Sequence, residues 1–267
     1  MKKLGEIFII LLIVTVMASG AIVFVVLGSR SAHIHYVCLE VNPRVEFLAD
    51  AKHRVKSIRP INKEAKELLI GEDFVGLKME DACDKFLNLC AKAGYIKVDD
   101  GNAVKLTVLS GINQALEVNL SKAIDEFFVD NNILGVLIDN SQDLSQYKQA
   151  KKQGVDIEKY DLMLAVKEGD ESANLDSLRK LNNRKLIKRI EKSHENYDWS
   201  YSEEELANKT KLIDFNRQKY DEHINSINAE STRTFKEKLK KYRAENTKNY
   251  KVDYNKEYNQ WLEGANL

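Results

Sequence analysis

The sequence predicts a single-pass membrane protein with an α+β extracytoplasmic domain, followed by a charged, mostly helical C-terminal tail. Three observations predict it: a long charge-free apolar run near the N-terminus, a middle region that mixes β-branched stretches with helical spacings, and a final region rich in charge and tyrosine. The predicted parts are a cytosolic stub (1–6), a transmembrane helix (7–28), the α+β domain (31–190) and the tail (191–267).

The apolar run at 7–27 is long enough to cross a bilayer, because a helix rises about 1.5 Å per residue and the hydrocarbon core is about 30 Å thick. Lys2 and Lys3 precede the run, which places the N-terminus in the cytoplasm. A cleaved signal peptide is the alternative, with Ala18 and Gly20 as the small residues before a cut, but the apolar run continues beyond them. We therefore expect a plasma-membrane protein with its C-terminus outside the cell.

Composition argues against several functional classes. The 267 residues contain 41 basic and 41 acidic side chains, so the chain lacks the excess positive charge of a nucleic-acid binder. Cys83 and Cys90 lie about two helical turns apart, too far for a disulfide. His33 and His35 could ligate a metal with a third group, but no partner at ligand spacing is evident. The familiar phosphate-binding, dinucleotide-binding and hydrolase motifs are missing, so we expect no cofactor and no enzyme that acts on other molecules.

Strands and helices alternate along the predicted α+β domain. Residues 34–41 carry apolar side chains on both faces, as a central strand does, and Asn42-Pro43 interrupts them. Gly94 is expected to end a helix. The remaining expected elements are strands at 44–48, 54–59, 104–109 and 133–138, and helices at 65–69, 79–90, 115–128, 145–153, 158–167 and 175–191.

The tail is expected to be helical from Ser202, which begins a capping box. Leu206, Ile213, Tyr220 and Ile227 recur every seven residues, but the matching second positions of the heptad are not consistently apolar. An exposed helix is therefore favoured over a coiled coil, and the last stretch is expected to be partly disordered.

Asn42-Pro43 is the one local sequence that suggests a chemical reaction, although most such dipeptides only begin a turn. Pro43 has no N–H that could attack the Asn42 side chain, so the ordinary deamidation route is closed. What remains is attack by the Asn42 side-chain nitrogen on its own carbonyl carbon, which expels the Pro43 nitrogen and leaves a succinimide. Glu40 and Glu46 are candidates for the proton acceptor and for organising the oxyanion side, if the fold brings them close.

The segment 36–46, Tyr-Val-Cys-Leu-Glu-Val-Asn-Pro-Arg-Val-Glu, resembles the S-x-D-x-N-P-S-x-E strand of RsgI-type anti-sigma factors of Gram-positive bacteria. The resemblance covers about residues 31–190 and also fits the position just after a transmembrane helix. It continues through Arg54-Val55, Ile58, the stretch from Asn62 to Leu69, Met79 to Ala82, Gly94 to Ile96, Ala150 to Gly154 and Lys159-Tyr160.

The resemblance implies a membrane-spanning regulator in signal transduction whose outer domain self-cleaves between Asn and Pro. The two pieces stay joined by strand pairing until a stimulus separates them, and an intramembrane protease then frees a sigma factor. It makes Asn42 the cyclising residue, Pro43 the new N-terminus and Glu46 the motif acid. This sequence departs from the motif at Cys38, Glu40 and Arg44.

Two functions are open at this point. The leading expectation is an RsgI-like signalling protein that lacks the cytosolic sigma-binding domain, so that a separately encoded protein would bind the sigma factor. Its self-cleavage would be a single-turnover event. The alternative is a membrane-anchored structural domain whose tail contacts the cell wall, with aromatic stacking faces at Tyr197, Trp199, Tyr201 and Trp261.

Overall fold

The computed structural model describes residues 34–109, 115–139 and 144–264. The predicted transmembrane helix at 7–28 lies outside these ranges, as does His33. Within the described ranges, no helix combines the length and the apolar character that crossing a bilayer requires. The single-pass topology stays a prediction from the sequence.

Within the described residues, five strands form one mixed sheet. The strands are β1 (His35–Glu40), β2 (Arg44–Ala49), β3 (Val55–Pro60), β4 (Asn102–Leu109) and β5 (Gly135–Asp139). Their order across the sheet is β3-β2-β1-β4-β5. β4 and β5 pair in parallel, and the other neighbours pair antiparallel.

β1 is the central strand, which confirms the prediction from its apolar residues. Tyr36 and Cys38 lie on one face of the sheet and Val37 and Leu39 on the other, and all four are at most 5% exposed. The strand on which the motif begins is therefore covered on both faces and paired along both edges.

Helices cover both faces of this sheet. Val37, Leu39 and Phe47 face a large apolar core against α1, α2, α3, α8 and α9. The opposite face, with Tyr36 and Cys38, packs against α5, α6 and α7. The described helices are α1 (Lys63–Leu69), α2 (Met79–Lys92), α3 (Ala115–Asp130), α4 (Leu144–Lys152), α5 (Ile157–Gly169), α6 (Leu175–Arg179), α7 (Asn183–Glu195), α8 (Glu203–Ser226) and α9 (Ala229–Gly264).

Helix ends account for one confirmed and one wrong prediction. Gly94 follows the end of α2 with a φ of 81°, a conformation that glycine adopts without strain, as its position predicted. The single helix predicted at 175–191 is wrong, because α6 and α7 are separate. Asn182 begins α7 by accepting a hydrogen bond from the backbone N–H of Lys185 at 3.0 Å, and this cap sets the break.

The C-terminal helices pack on the domain core. Ser202 begins α8 with the predicted capping box, in which its hydroxyl accepts from the Glu205 N–H. Tyr220 is 5% exposed and joins the large core, so the expectation of an exposed helix is wrong at this position. Phe235 and Leu239 of α9 are buried in the same core.

Candidate functional site in the β1–β2 loop

The loop between β1 and β2 contains the predicted cleavage dipeptide. The last register pair of the two strands joins Glu40 to Arg44, so Val41, Asn42 and Pro43 form a tight connection. The Val41 N–H donates to the Pro43 carbonyl at 3.1 Å. Asn42 is exposed to solvent, whereas Pro43 is buried. The bond between them therefore lies where an open loop enters the packed sheet.

Asn62 holds this loop from the side. Its side-chain nitrogen donates to the Asn42 carbonyl oxygen at 2.5 Å, and its side-chain oxygen accepts from the Arg44 N–H at 3.0 Å. The same oxygen caps α1 by accepting from the Ala65 N–H at 3.0 Å. One amide side chain thus contacts the backbone on both sides of Pro43.

The charged residues next to the loop pair with one another. Arg44 donates to Glu168 of α5 at 2.6 Å, and its side chain also lies 3.9 Å from the Glu40 carboxylate. Burial raises the pKa of Glu168 above its ordinary value, and the positive charge of Arg44 only partly opposes this. Glu40 is exposed and lies two residues before Asn42, so its carboxylate stays accessible to water near the loop.

Glu46 lies in the interior, on the face of the sheet that packs against α5 to α7. It is fully buried and accepts hydrogen bonds from the Tyr36 hydroxyl at 2.7 Å and from Arg59 at 2.6 and 3.1 Å. The Nε2 of His194, from α7, lies 3.4 Å away. We call these four residues the buried network.

The protonation states in the buried network follow from its hydrogen bonds. Burial alone would raise the pKa of Glu46, but hydrogen bonds from His194 and Tyr36 and the charge of Arg59 outweigh it, so the pKa lies below its ordinary value. Burial lowers the pKa of His194, although its hydrogen bond to Glu46 and the negative charge of Glu46 act to raise it. A neutral imidazole fits both neighbours, because its Nδ1 accepts from the Ser57 hydroxyl and its Nε2–H faces Glu46.

Of the predicted site residues, Glu40, Asn42 and Pro43 lie together at the loop, and Glu46 lies farther along β2 in the interior. The carboxylate of Glu46 already accepts hydrogen bonds from Tyr36 and Arg59 in the interior, and these bonds stabilise the hairpin. Cys38 lies directly opposite Glu46 in the ladder, and burial raises its pKa to about 12, so its thiol stays protonated at neutral pH.

The sequence analysis assigned no role in the site to four residues of this region. Asn62 carried a readable signal, because an asparagine directly before a helical stretch is a common N-cap. Tyr36, Arg59 and His194 carried none, since their meeting at Glu46 depends on strand pairing and on a helix 148 residues away in the chain.

No group of three potential metal ligands occurs among the residues that the structure describes. His35 is buried, and its ring packs edge-on against His53 with centroids 5.1 Å apart.

Comparisons with known proteins match this region. The family profile described as the anti-sigma factor RsgI-like central domain covers residues 34–165, from just before β1 into α5. Among similar curated proteins of Acetivibrio thermocellus, anti-sigma-I factor RsgI7 is 22% identical over 159 residues, which are 58% of this chain and 29% of RsgI7. Anti-sigma-I factor RsgI9 is 26% identical over 177 residues, 63% of this chain and 25% of RsgI9. Anti-sigma-I factor RsgI3 is 27% identical over 93 residues, 34% of this chain and 14% of RsgI3.

The chain therefore spans less than a third of the length of each of these relatives. The matched residues include the whole β1–β2 hairpin and Asn62. Residues 34–165 are therefore an RsgI-like central domain, and over this domain the chain is similar to RsgI-type anti-sigma factors.

Proposed function

We propose that this protein is a membrane-anchored signalling protein of the RsgI type, whose outer domain cleaves itself between Asn42 and Pro43. One observation carries the proposal: the Asn42-Pro43 bond lies in the loop that directly follows the central strand β1. A cut there would leave β1 as a separate chain that is still bound between β2 and β4. The domain would then keep its fold but consist of two polypeptide chains.

Strand pairing and burial would hold the two pieces together after the cut. β1 has six register pairs with β2 and five with β4. Each ladder hydrogen bond contributes about 0.5–1.5 kcal/mol net. Burial of a side chain such as Val37 or Leu39 adds about 1.5–3 kcal/mol each. The separated strand would therefore leave only when tension along the chain removes it from the sheet.

The bonds that form and break belong to Asn42 and Pro43, and the step needs only a proton acceptor and a proton donor besides. The Asn42 side-chain nitrogen attacks the Asn42 carbonyl carbon and loses a proton, and the new C–N bond closes a succinimide. The bond to Pro43 breaks, and the Pro43 nitrogen takes up a proton and becomes a free N-terminal amine. Glu40, which is exposed and lies two residues before Asn42 in the chain, is our candidate for accepting the proton, directly or through water.

We infer the signalling role and its partners from the similarity of residues 34–165 to anti-sigma-I factors. Anchoring in the plasma membrane rests on the predicted transmembrane helix at 7–28, with the N-terminus inside and the C-terminus outside. Release of β1 would expose the membrane-bound remnant to an intramembrane protease, with a sigma factor as the downstream partner. Labelling a C-terminal tag on intact cells should succeed, and labelling only after lysis would contradict the topology.

Tagging both ends of the full chain tests the association of the fragments. The purified protein should separate into two fragments under denaturing conditions and elute as one species under native conditions. Asn42→Ala removes the cyclising amide and should give one chain in both. Asn208→Ala, an exposed substitution on α8, is the matched control and should behave like the unaltered protein. Fragments that separate under native conditions would contradict retention by strand pairing.

A second function, contact with wall polymer, is favoured by one cavity. Tyr197, Trp199 and Tyr201 line a cavity of about 220 Å³ together with Lys66 and residues 69–72 of the α1 end. Trp199 is 40% exposed, so part of its ring is available for stacking on a sugar. Trp199→Ala should abolish retention of the protein on isolated cell wall and leave cleavage unchanged. Unchanged retention would remove this second function.

A further inference from the structure

We propose that the side-chain amide of Asn62 is the oxyanion donor for cleavage at Asn42-Pro43, an inference that rests on the self-cleavage proposed above. The observation behind it is the 2.5 Å hydrogen bond from the Asn62 side-chain nitrogen to the Asn42 carbonyl oxygen. That oxygen belongs to the bond that would break. Asn62 therefore contacts a reacting atom, although it lies 20 residues away in the chain.

The neighbours of Asn62 fix which end of its amide faces the reacting carbonyl. Its oxygen accepts from two backbone N–H groups, those of Arg44 and Ala65. Only an oxygen can accept both, so the nitrogen must be the atom that points at Asn42. Strand β2 and helix α1 thus hold the donor in place before any reaction begins.

This placement matters because negative charge develops on the Asn42 carbonyl oxygen during the attack. When the side-chain nitrogen of Asn42 adds to the carbonyl carbon, the C=O electron pair moves to the oxygen. The oxygen then bears the charge until the pair returns and expels the Pro43 nitrogen, which leaves with a proton. A hydrogen bond that strengthens as charge develops lowers the barrier rather than merely binding the ground state. Asn62 offers that bond without having to move.

The same contact orients the bond that breaks. Asn62 binds the carbonyl of residue 42 and the N–H of residue 44, so it holds the backbone on both sides of Pro43. A fixed carbonyl presents the same face to the Asn42 side chain at every encounter. Stabilisation of the oxyanion and orientation of the carbonyl both come from a residue outside the recognised motif segment.

Asn62 also caps α1, so the test must separate capping from catalysis. Asn62→Asp keeps the oxygen that caps the helix, because aspartate is as good an N-cap as asparagine, but it removes the N–H donor. Asn62→Ser is a second, uncharged variant that keeps a cap and lacks the amide. Asn182→Asp, at the N-cap of α7, is the matched control for replacing a capping asparagine.

The measurement is the rate at which newly synthesised full-length chain converts into fragments. Asn62→Asp should slow it by about 100-fold, the lower end of the range for a lost oxyanion donor, because water reaches the exposed Asn42 and partly replaces it. Asn62→Ser should also be slow, and Asn182→Asp should match the unaltered protein. Acidification should raise the cleavage rate of Asn62→Asp relative to that of the unaltered chain, because a protonated carboxyl group has an O–H that can donate. If Asn62 were only a helix cap, acid would not restore the rate in this way.

Two results would overturn the inference, and they differ. If the unaltered chain cleaves and both Asn62 variants cleave at the same rate, Asn62 is only a helix cap, and the proposed function stands. If the unaltered chain does not cleave at all, the proposed function fails together with this inference. If Asn62→Asp proves unfolded by circular dichroism, Asn62→Ser decides between the two roles.

Discussion

The two faces of the central sheet are built from alternate residues of the same strands, yet they differ in chemistry. The face toward α2 and α3 is apolar throughout its core, with Leu39 and Phe47 as typical members. The face toward α5 and α7 contains the buried network around Glu46 beside its apolar residues. The first face supplies stability by exclusion of water, and the second adds directional contacts that fix how the β1–β2 hairpin meets a distant helix.

The largest expected effect is the loss of the carboxylate from the buried network. Glu46→Ala leaves the Arg59 guanidinium buried without its counter-charge, which should lower the free energy of unfolding by about 3–5 kcal/mol. Denaturant unfolding of the full chain in detergent measures it. Adding Arg59→Met should recover much of the loss, because the uncompensated charge is then gone. A double variant no more stable than Glu46→Ala would show that Arg59 is not the source of the cost.

A large apolar side chain on the other face should give a similar loss through a different cause. Leu87 of α2 is fully buried, and Leu87→Ala should cost about 2–5 kcal/mol through lost burial and a cavity. This cost should be the same at neutral and acidic pH. The cost of Glu46→Ala should shrink in acid, because the folded-state pKa of Glu46 lies below its unfolded-state pKa of about 4.3. The ionised Glu46 side chain therefore stabilises the fold fully at a pH above the unfolded-state pKa, and this stabilisation is lost as the pH falls through the folded-state pKa. Equal pH dependence of the two variants would remove the contrast between the faces.

His194 should give a smaller effect, which is recognised by its pH dependence. Its folded pKa lies below the unfolded value, about 6.5, so the unfolded chain takes up a proton first as the pH falls. Stability should therefore decline below about pH 6.5, by at most about 1.4 kcal/mol per pH unit, until the folded pKa is reached. His194→Asn should remove this slope. His53→Asn, at a turn position with a φ of 58° that asparagine tolerates, should leave it unchanged.

The smallest expected effect comes from the partly exposed pair beside the loop. Arg44→Ser breaks the ion pair with Glu168 and restores the family residue at this position, and it should change the free energy of unfolding by about 0–1 kcal/mol. Cleavage should continue at a similar rate, because Asn62 contacts the backbone N–H of residue 44 and not its side chain. A large loss of cleavage would show that the Arg44 side chain takes part.

Local patterns predicted the hairpin, and long-range contacts explain what they missed. The segment at 34–41 has apolar side chains on both faces, which predicted a central strand, because only a strand that is covered on both faces tolerates that composition. The break between α6 and α7 was missed, since Leu178, Leu186 and Ile190 keep a helical spacing across it and the competing signal is the single cap at Asn182.

The candidate site was predictable only where its residues adjoin in sequence. Glu40, Asn42 and Pro43 adjoin, so the motif revealed them. Asn62 and His194 reach the hairpin through the pairing of β2 with β3 and the packing of α7, which no spacing in the chain encodes. Sequence reasoning therefore found the bond and missed the groups that hold it.

The mass of the purified full-length chain tests the central claim most directly. Self-cleavage predicts two masses, a fragment that ends at Asn42 and a fragment that begins at Pro43. The first should appear partly as a succinimide, lighter by one water than the fragment that ends in free asparagine. Asn42→Ala should give the single mass of the intact chain. A single intact mass for the unaltered protein after prolonged incubation, identical in behaviour to Asn42→Ala, would contradict the account.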